Sequence, residues 1–341
     1  MTDGIFFSHF FICSMSNHTL EIIVDQMTFY GPIILLIIGT LGCLCNFLTF
    51  TSPQLRRNSC AFYFLCSSIF ELFSICFGLI TRFIADHSIS DLQNHNRIYC
   101  KCRAYFVSSI PLIATYFVLL TSIDRYLSTS IHSRLRSFSQ MKIVYRASLI
   151  AVFTGLISCV HILYSYDLRP KCATIPNGYA IFDGMFAVFW LGVIPHIVML
   201  IFGYLTLINI KQLRTRMYEK QVRFNEKTDR QLMIVSEIFS LFRSIFVFFL
   251  EMMFVQIGFS SLLILTRMIY YAYYILSPNL TGTKKSIGAF LMSLTTLLYY
   301  SNYSKSFYIY PLSSPLFRRI FLDRLKEYSL KVCHPIKKIF K

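Results

Sequence analysis

The triplet Asp124-Arg125-Tyr126 lies where the third long apolar run of the chain ends. An acid next to a base is rare in a membrane helix, because a charge in hydrocarbon costs about 2.5–3.5 kcal/mol or more. At the end of a helix, the same pair can face the aqueous phase and contact a partner protein. The triplet is therefore the first candidate functional site, and a helix-end salt bridge without further function is the alternative interpretation.

The elements that must position this triplet are apolar helices. The chain has 55% hydrophobic and 14% charged residues, whereas soluble domains contain about 25% charged residues. Runs of about 20 apolar residues are long enough to cross a bilayer as helices. Seven such runs predict an all-α membrane protein built as a seven-transmembrane helix bundle: 29–50, 61–84, 104–123, 147–165, 182–208, 250–276 and 287–310.

The distribution of Lys and Arg predicts the orientation of the bundle. Most of these residues follow the first, third, fifth and seventh runs, and Lys and Arg are enriched on the cytoplasmic side of membranes. We therefore expect a plasma-membrane protein with residues 1–28 as an extracellular tail, 29–310 as the membrane domain and 311–341 as a cytoplasmic amphipathic helix with a basic tail. The net charge of +17 then reflects topology and attraction to anionic membrane lipids, and no nucleic-acid partner is expected.

Sequons and cysteines agree with this orientation. Asn17 and Asn279 each begin an Asn-x-Thr sequon in a segment predicted outside, where N-glycosylation occurs. Cys100 and Cys102 begin the third run on its outer side, and Cys172 lies in the next outer loop. Because the outside is oxidising, a disulfide among these cysteines is expected.

The combination resembles the rhodopsin-like (class A) G-protein-coupled receptor family. Asp-Arg-Tyr ends the third of seven spans, and the N-terminus is expected outside. Cys100 lies 25 residues before Arg125, as the outer cysteine does in that family, and the resemblance implies that Cys100 pairs with Cys172. The resemblance covers about residues 29–328.

The end of the seventh span also resembles this family. Tyr310 is followed by six residues and then Phe317, which matches the family's tyrosine and phenylalanine, although its Asn-Pro pair is absent. Ser314-Pro315 then begins a short amphipathic segment, similar to the family's eighth helix at the membrane surface. Cys333 follows this segment near the inner leaflet and is a candidate for palmitoylation.

The resemblance implies a mechanism in which Asp124 holds Arg125 in the resting state. Activation would release Arg125 as the sixth span moves outward and opens a cleft for the α subunit of a heterotrimeric G protein. Tyr310 and Tyr204 would turn inward to support the open state. An extracellular ligand, for which a peptide is preferred, acts by binding the open state better than the closed one.

Glu71 stands where the family carries a sodium-binding aspartate. Asn46, Asn302 and Ser306 are candidate polar partners for this carboxyl group. Two interpretations stay open, a sodium site and a protonated, hydrogen-bonded glutamate. Lys305 could instead pair with Glu71.

The outer halves of the spans carry the candidate ligand pocket. Val107 stands where amine receptors carry an aspartate, so a small amine is not expected. Tyr300 stands where opsins carry the retinal lysine, so neither a photoreceptor nor a cofactor is expected. Arg82 and Arg267, with Tyr270 nearby, suit an anionic ligand group, although arginines in such positions can also extend to lipid headgroups.

The sixth span departs most from the family. It lacks the Trp-x-Pro motif, and the Phe-rich segment 234–250 before it is predicted to be an insertion, with a retained intron as one origin. We therefore keep two alternative functions, a non-signalling receptor copy and a small membrane transporter. Neither an enzyme nor a metal site is expected, because the sequence has no metal-spaced His/Cys set and no nucleophile elbow.

Overall fold

A computed structural model describes residues 17–87, 92–169, 171–176, 178–224, 252–273 and 282–339, and these residues are almost entirely helical. The predicted insertion 234–250 and the sequon at Asn279 lie outside the described residues. The helices are α1 (Asn17–Phe50), α2 (Ser59–His87), α3 (Arg97–Thr129), α4 (Met141–Ser158 and Val160–Ser165), α5 (Gly178–Met185, Phe186–Val193 and Ile194–Phe224), α6 (Met252–Tyr273), α7 (Thr283–Ser304), α8 (Ser306–Ser313) and α9 (Pro315–Ile339). Short helical turns at Leu92–His95 and Ser133–Ser137 and the antiparallel strands β1 (Asp167–Leu168) and β2 (Cys172–Ala173) connect them.

Helices α1 to α6 are each long enough and apolar enough to cross a membrane. Their outward faces carry large apolar side chains that are more than half exposed, such as Ile37, Phe153 and Leu262. Charged groups such as Glu71 and Arg125 are buried instead. Hydrocarbon favours this inverted distribution, because polar groups must be satisfied inside the protein. The chain is therefore an all-α, multi-pass membrane protein.

Helix α7 is not among these six, although residues 287–310 were predicted to form the seventh span. Its sequence is rich in Ser, Thr and Tyr and begins with two lysines, which lowers the mean hydropathy. The helix nevertheless packs against α1 and α2, and Tyr300 and Asn302 are buried. The predicted span is also divided, because α7 ends at Ser304 and α8 begins at Ser306.

Most of the helices extend beyond the predicted runs, and α1 and α5 differ most in character. Helix α1 begins at Asn17, so the second part of the predicted tail 1–28 is helical. Helix α5 contains a π-helical segment, Phe186–Val193, which ends two residues before Pro195. The N–H of Ile194 donates to the carbonyl of Phe189, which is a wider turn than an α-helix makes. Such segments are uncommon and often accompany functional sites.

Aromatic side chains hold one end of the bundle together. Tyr310 of α8 packs edge-on against Phe50 of α1 and Phe64 of α2, with ring centroids 5.9 and 5.3 Å away. Phe317 of α9 lies 5.6 Å from Tyr310. All four rings are buried, and burying aromatic rings is among the strongest packing contributions in a core. The cluster therefore anchors α8 and α9 to the first two helices.

A disulfide holds the first turn of α3. Cys100 and Cys172 are bonded, with Cα atoms 5.7 Å apart, so the predicted pairing is confirmed and Cys102 is free. Beside the bond, Arg97 donates to Asp167 at 2.6 Å, and this hydrogen bond lowers the pKa of the Asp167 carboxyl group. The loop between α4 and α5 is thus attached to the first turn of α3.

Replacing Cys172 with Ser should lower the melting temperature of the purified protein. The disulfide closes a loop across a sequence separation of 72, and restricting an unfolded loop of that length stabilises the native state by about 4 kcal/mol. Thermal unfolding in detergent measures the loss. Cys102→Ser is the matched control, and an equal loss in that variant would contradict the assignment.

Candidate functional site

The charged pair of the triplet is buried at the end of α3. Asp124 and Arg125 are only 3% and 4% exposed. Arg125 Nη2 donates to Asp124 Oδ2 at 2.5 Å, a short charge-assisted hydrogen bond. Because both ions are removed from water, the loss of either partner would leave an unpaired buried charge, which costs about 3–5 kcal/mol.

Two serines from other segments complete this pair. Ser59, the first residue of α2, donates to Asp124 Oδ2 at 2.8 Å and accepts from Arg125 Nη2 at 3.3 Å. Ser139, between α3 and α4, donates to Asp124 Oδ1. The carboxylate is therefore held by three groups from separate parts of the chain. We call Ser59, Asp124, Arg125 and Ser139 the α3 charge cluster; sequence reasoning found only its acid and base.

The third residue of the triplet contacts α5 instead. The ring of Tyr126 packs on Phe202 with centroids 5.5 Å apart. Asn209 Nδ2 donates to the carbonyl of Tyr126 at 3.3 Å and to Thr129 Oγ1 at 3.2 Å. Tyr204, which sequence reasoning placed with Tyr310 in the switch, is 65% exposed. The predicted switch residues therefore occupy different surroundings in this structure.

A second polar cluster lies around Glu71 and Lys305. Glu71 is 2% exposed, and its Oε1 accepts from Ser67 at 3.2 Å. Lys305, the residue between α7 and α8, donates to Ser260 Oγ at 2.9 Å and to the carbonyl and Oδ1 of Asn302 at 2.8 and 2.5 Å. The ammonium thus uses all three of its donors, and it interacts with the carboxyl group of Glu71 through space.

The hydrogen bonds of Lys305 leave few oxygen ligands for a sodium ion beside Glu71. A hard cation needs several oxygen ligands, and Lys305 already binds the side chain and carbonyl oxygens of Asn302. The cavity lined by Glu71, His196, Gln256, Ser260 and Asn302 measures about 10 Å³, which is room for about one water molecule. The lysine ammonium therefore occupies oxygen atoms that a sodium ion would need and places a positive charge near Glu71.

The two other predicted members of this polar site, Ser306 and Asn46, lie in different surroundings. Ser306 accepts from Gln256 Nε2 at 3.3 Å, which connects the beginning of α8 to α6. Asn46 is fully buried, and its amide group makes no hydrogen bond within the described residues. Hydrogen bonds therefore join Ser306 directly, and Asn302 through Lys305, to α6 and leave Asn46 apart.

The predicted ligand residues lie at the end of the bundle that carries the disulfide. Arg82 donates to Asp86 at 2.6 Å. Arg267 donates to Met292 Sδ at 2.7 Å and to Thr295 Oγ1 at 3.2 Å, both on α7. The hydroxyl of Tyr270 donates to the carbonyl of Gly288 at 2.8 Å, and Val107 is partly buried on α3.

Tyr300 occupies space that only a glycine leaves open. A Cβ atom at Gly78 of α2 would lie 2.4 Å from a ring carbon of Tyr300 and 2.6 Å from its hydroxyl oxygen. Real Cβ atoms do not approach other heavy atoms so closely, since interiors are already close-packed. The missing side chain on α2 therefore lets the Tyr300 phenol reach the centre of this end of the bundle.

Two modification candidates lie near the ends of the chain, and only their backbone positions are described. Asn17 is the first residue of α1 and Cys333 belongs to the backbone of α9, but their side chains are outside the described part of the chain. Among the described residues, no group of three or more His, Cys, Asp or Glu side chains could hold a metal ion.

Comparison with known protein families and curated proteins finds no match. None of the family models matches the sequence, and no curated protein matches it.

Neutralising one member of the Glu71–Lys305 pair should destabilise the protein more than neutralising both. Lys305→Met leaves the buried Glu71 carboxyl group without its neighbouring positive charge, and Glu71→Gln leaves the Lys305 ammonium without its neighbouring negative charge. Breaking a direct buried ion pair costs about 3–5 kcal/mol, which is the upper bound for each single change. The double variant should recover much of the melting temperature. Lys284→Met, at the exposed start of α7, is the control, and additive losses in the double variant would contradict the pairing.

The melting temperature of the unmodified protein should be the same in sodium and choline chloride. In Lys305→Met, the oxygens of Glu71 and Asn302 become available, so sodium should now stabilise the protein. Thermal unfolding in the two salts measures both effects. Sodium stabilisation of the unmodified protein would contradict the role given to Lys305.

Proposed function

We propose that the chain is a receptor of the rhodopsin-like G-protein-coupled class, which transmits an extracellular ligand signal to a heterotrimeric G protein. In this proposal α7 is the seventh span and α9 begins as the amphipathic eighth helix. The observation that carries it is the burial of Asp124 and Arg125 together at the end of α3. A surface salt bridge would contribute little and would not need burial.

In this proposal, the α3 charge cluster holds Arg125 in the resting state and releases it on activation. Ser59 and Ser139 come from segments on either side of α3, so a small displacement of α2 or of the segment before α4 loosens the hold on Asp124. Arg125 would then lose its partner and become available to a protein that docks at this end. A ligand drives this change only by the difference in its affinity for the two states.

Support also comes from the two ends of α3 taken together. The disulfide attaches a loop to its first turn, and the charge cluster lies in its last turns. In the proposed orientation the disulfide is extracellular and the charge cluster cytoplasmic. One continuous helix, 33 residues long, would therefore connect the ligand side with the G-protein side at the plasma membrane.

Arg125→Ala should abolish G-protein activation, and Asp124→Asn should raise the basal level severalfold. The first change removes the group that is released, and the second removes the charge that holds it. Nucleotide exchange on a panel of G-protein α subunits, in membranes from cells expressing the full chain, measures both. A severalfold change corresponds to about 1 kcal/mol between the two states.

The control for this experiment is Arg134→Ala, an exposed arginine in the segment after α3, which should leave activation unchanged. Surface delivery of each variant is measured with an N-terminal tag. Activation that survives Arg125→Ala would contradict the proposed role of Arg125 in G-protein activation. Absence of activation in every delivered form, including a deletion of 234–250, would identify a non-signalling copy.

Treatment with an N-glycosidase should increase the electrophoretic mobility of the protein expressed in eukaryotic cells. The shift should become smaller in Asn17→Gln and in Asn279→Gln and disappear in the double variant, because both sequons are predicted outside. Asn302, which is buried in α7, begins the sequon Asn302-Tyr303-Ser304 and should not be modified. A shift that persists in the double variant would contradict the proposed orientation.

A further inference from the structure

A cleft between α1, α2 and α7 opens at the end of the bundle that carries the disulfide. Its volume is about 450 Å³, within the range of about 300–1,000 Å³ that small-molecule sites occupy. The wall carries the carboxylates of Glu21, Asp25 and Asp86, together with His87 and Ser293. We call this space the α1–α2–α7 cleft.

The negative charge of this cleft is only partly compensated. Arg82, which sequence reasoning assigned to an anionic ligand group, lies in the same wall and pairs with Asp86 at 2.6 Å. Glu21 and Asp25 lie four positions apart on one face of α1, and like charges at this spacing repel each other. Among the described residues, neither of these two acids forms an ion pair with a lysine or arginine. Two carboxylates of the cleft therefore lack a permanently charged partner.

His87 presents a hydrogen-bond acceptor beside one of these carboxylates. Thr28 Oγ1 donates its proton to the carbonyl of Val24 at 3.0 Å, so it accepts from His87 Nε2 at 3.1 Å. In the neutral imidazole, Nδ1 is then an acceptor, and it lies 3.9 Å from Asp25 Oδ1. Two acceptors cannot bond to each other, but a group with several N–H donors that lies beside both can donate to each of them.

A buried hydroxyl group without a partner lies deeper in the cleft. Ser293 is 6% exposed, and its side chain makes no hydrogen bond within the described residues. It also lines a smaller cavity of about 10 Å³ beside the buried side chains of Leu79 and Tyr300. A buried polar group without a partner is costly, so Ser293 favours a polar ligand group or a water molecule at this depth.

These groups select the charge and the kind of ligand. The carboxylates repel an anion, and an apolar molecule would bury them without a hydrogen bond, which is costly. In the part of the chain that the structure describes, no group of three or more His, Cys, Asp or Glu side chains could hold a metal ion. An organic cation with several N–H donors is therefore the class of ligand that the cleft fits best.

We propose that the α1–α2–α7 cleft binds an ammonium or guanidinium group of an extracellular ligand. The cationic group lies between Asp25 and His87, donates to both and is attracted by Glu21 one turn away on α1. Ser293 then hydrogen-bonds a second polar group of the ligand. A basic side chain of a peptide and a small organic cation share this chemistry, and the probes below distinguish these two sources.

The assignment of this cation to signalling rests on the proposed receptor function, but the binding step does not. Ligand binding raises the melting temperature of a protein whether or not it activates a G protein. The test is therefore thermal unfolding of the full chain in detergent. A protein that binds the cations and activates no G protein would refute only the receptor function, and one that activates a G protein but binds no cation would refute only this site.

The probes are two pairs that differ in the charge of one group. One pair is butylguanidine and its neutral analogue butylurea. The other pair is a set of pentapeptides with blocked ends and a central arginine, and the same set with the uncharged analogue citrulline. At constant ionic strength, at least one cationic probe should raise the melting temperature, and its neutral counterpart should not. A shift with butylguanidine identifies a small organic cation, and a shift with only the arginine peptides identifies a basic peptide side chain.

Asp25→Asn should raise the concentration needed for stabilisation by about tenfold or more, the effect of losing one charge-assisted hydrogen bond. Glu21→Gln removes only a nearby charge and should raise this concentration less. The control is Asp323→Asn, which removes an exposed carboxylate on α9 and should bind the probes as the unmodified protein does. Equal stabilisation by the neutral analogues, stabilisation by calcium chloride alone, shifts that survive Asp25→Asn, or no shift with any cation would overturn the proposal.

A measurement without ligand separates binding from structural support. Because Glu21 and Asp25 repel each other and the Asp25 side chain is 77% exposed, Asp25→Asn should keep or slightly raise the melting temperature of the free protein. A carboxylate that serves only to pair with His87 would lower the melting temperature when it is removed. A fall of several degrees in this variant, with no change in the binding of the cations, would overturn the proposal.

Discussion

The buried charges of Asp124 and Lys305 depend on partners from neighbouring segments, because the outer faces of the same helices are apolar. Asp124 is held by Ser59 and Ser139 as well as by Arg125. Lys305 is held by Ser260 of α6 and by Asn302. In a low-dielectric interior such bonds are strong when complete and costly when one partner is missing. These few hydrogen bonds therefore determine which helix ends can lie together.

The sequence predicts the helices better than it predicts their partners. Long apolar runs identify α1 to α6, because mean hydropathy is a local property of the chain. The same measure does not select α7, which is rich in Ser, Thr and Tyr. Ser59 is 65 positions away from Asp124, and no local pattern distinguishes it from the other serines of the apolar runs. A disulfide among the outer cysteines was predictable from their location, but its pairing was predictable only because of the resemblance.

Helix α3 connects the disulfide with the charge cluster. Its first turn carries Cys100, and its last turns carry the Asp124–Arg125 pair. Between them, the carbonyl of Ala114 accepts from Ser67, which also donates to Glu71. A coupling claim needs an element with two arrangements that both sites bias. The polar contacts of α3 with α2 make their shared interface the candidate for that element.

The close approach of Gly78 and Tyr300 has a consequence for how this chain can evolve. Any side chain at position 78 would collide with the phenol, so an alanine there is tolerated only after position 300 has become smaller. In relatives of this chain, we therefore expect positions 78 and 300 to change together.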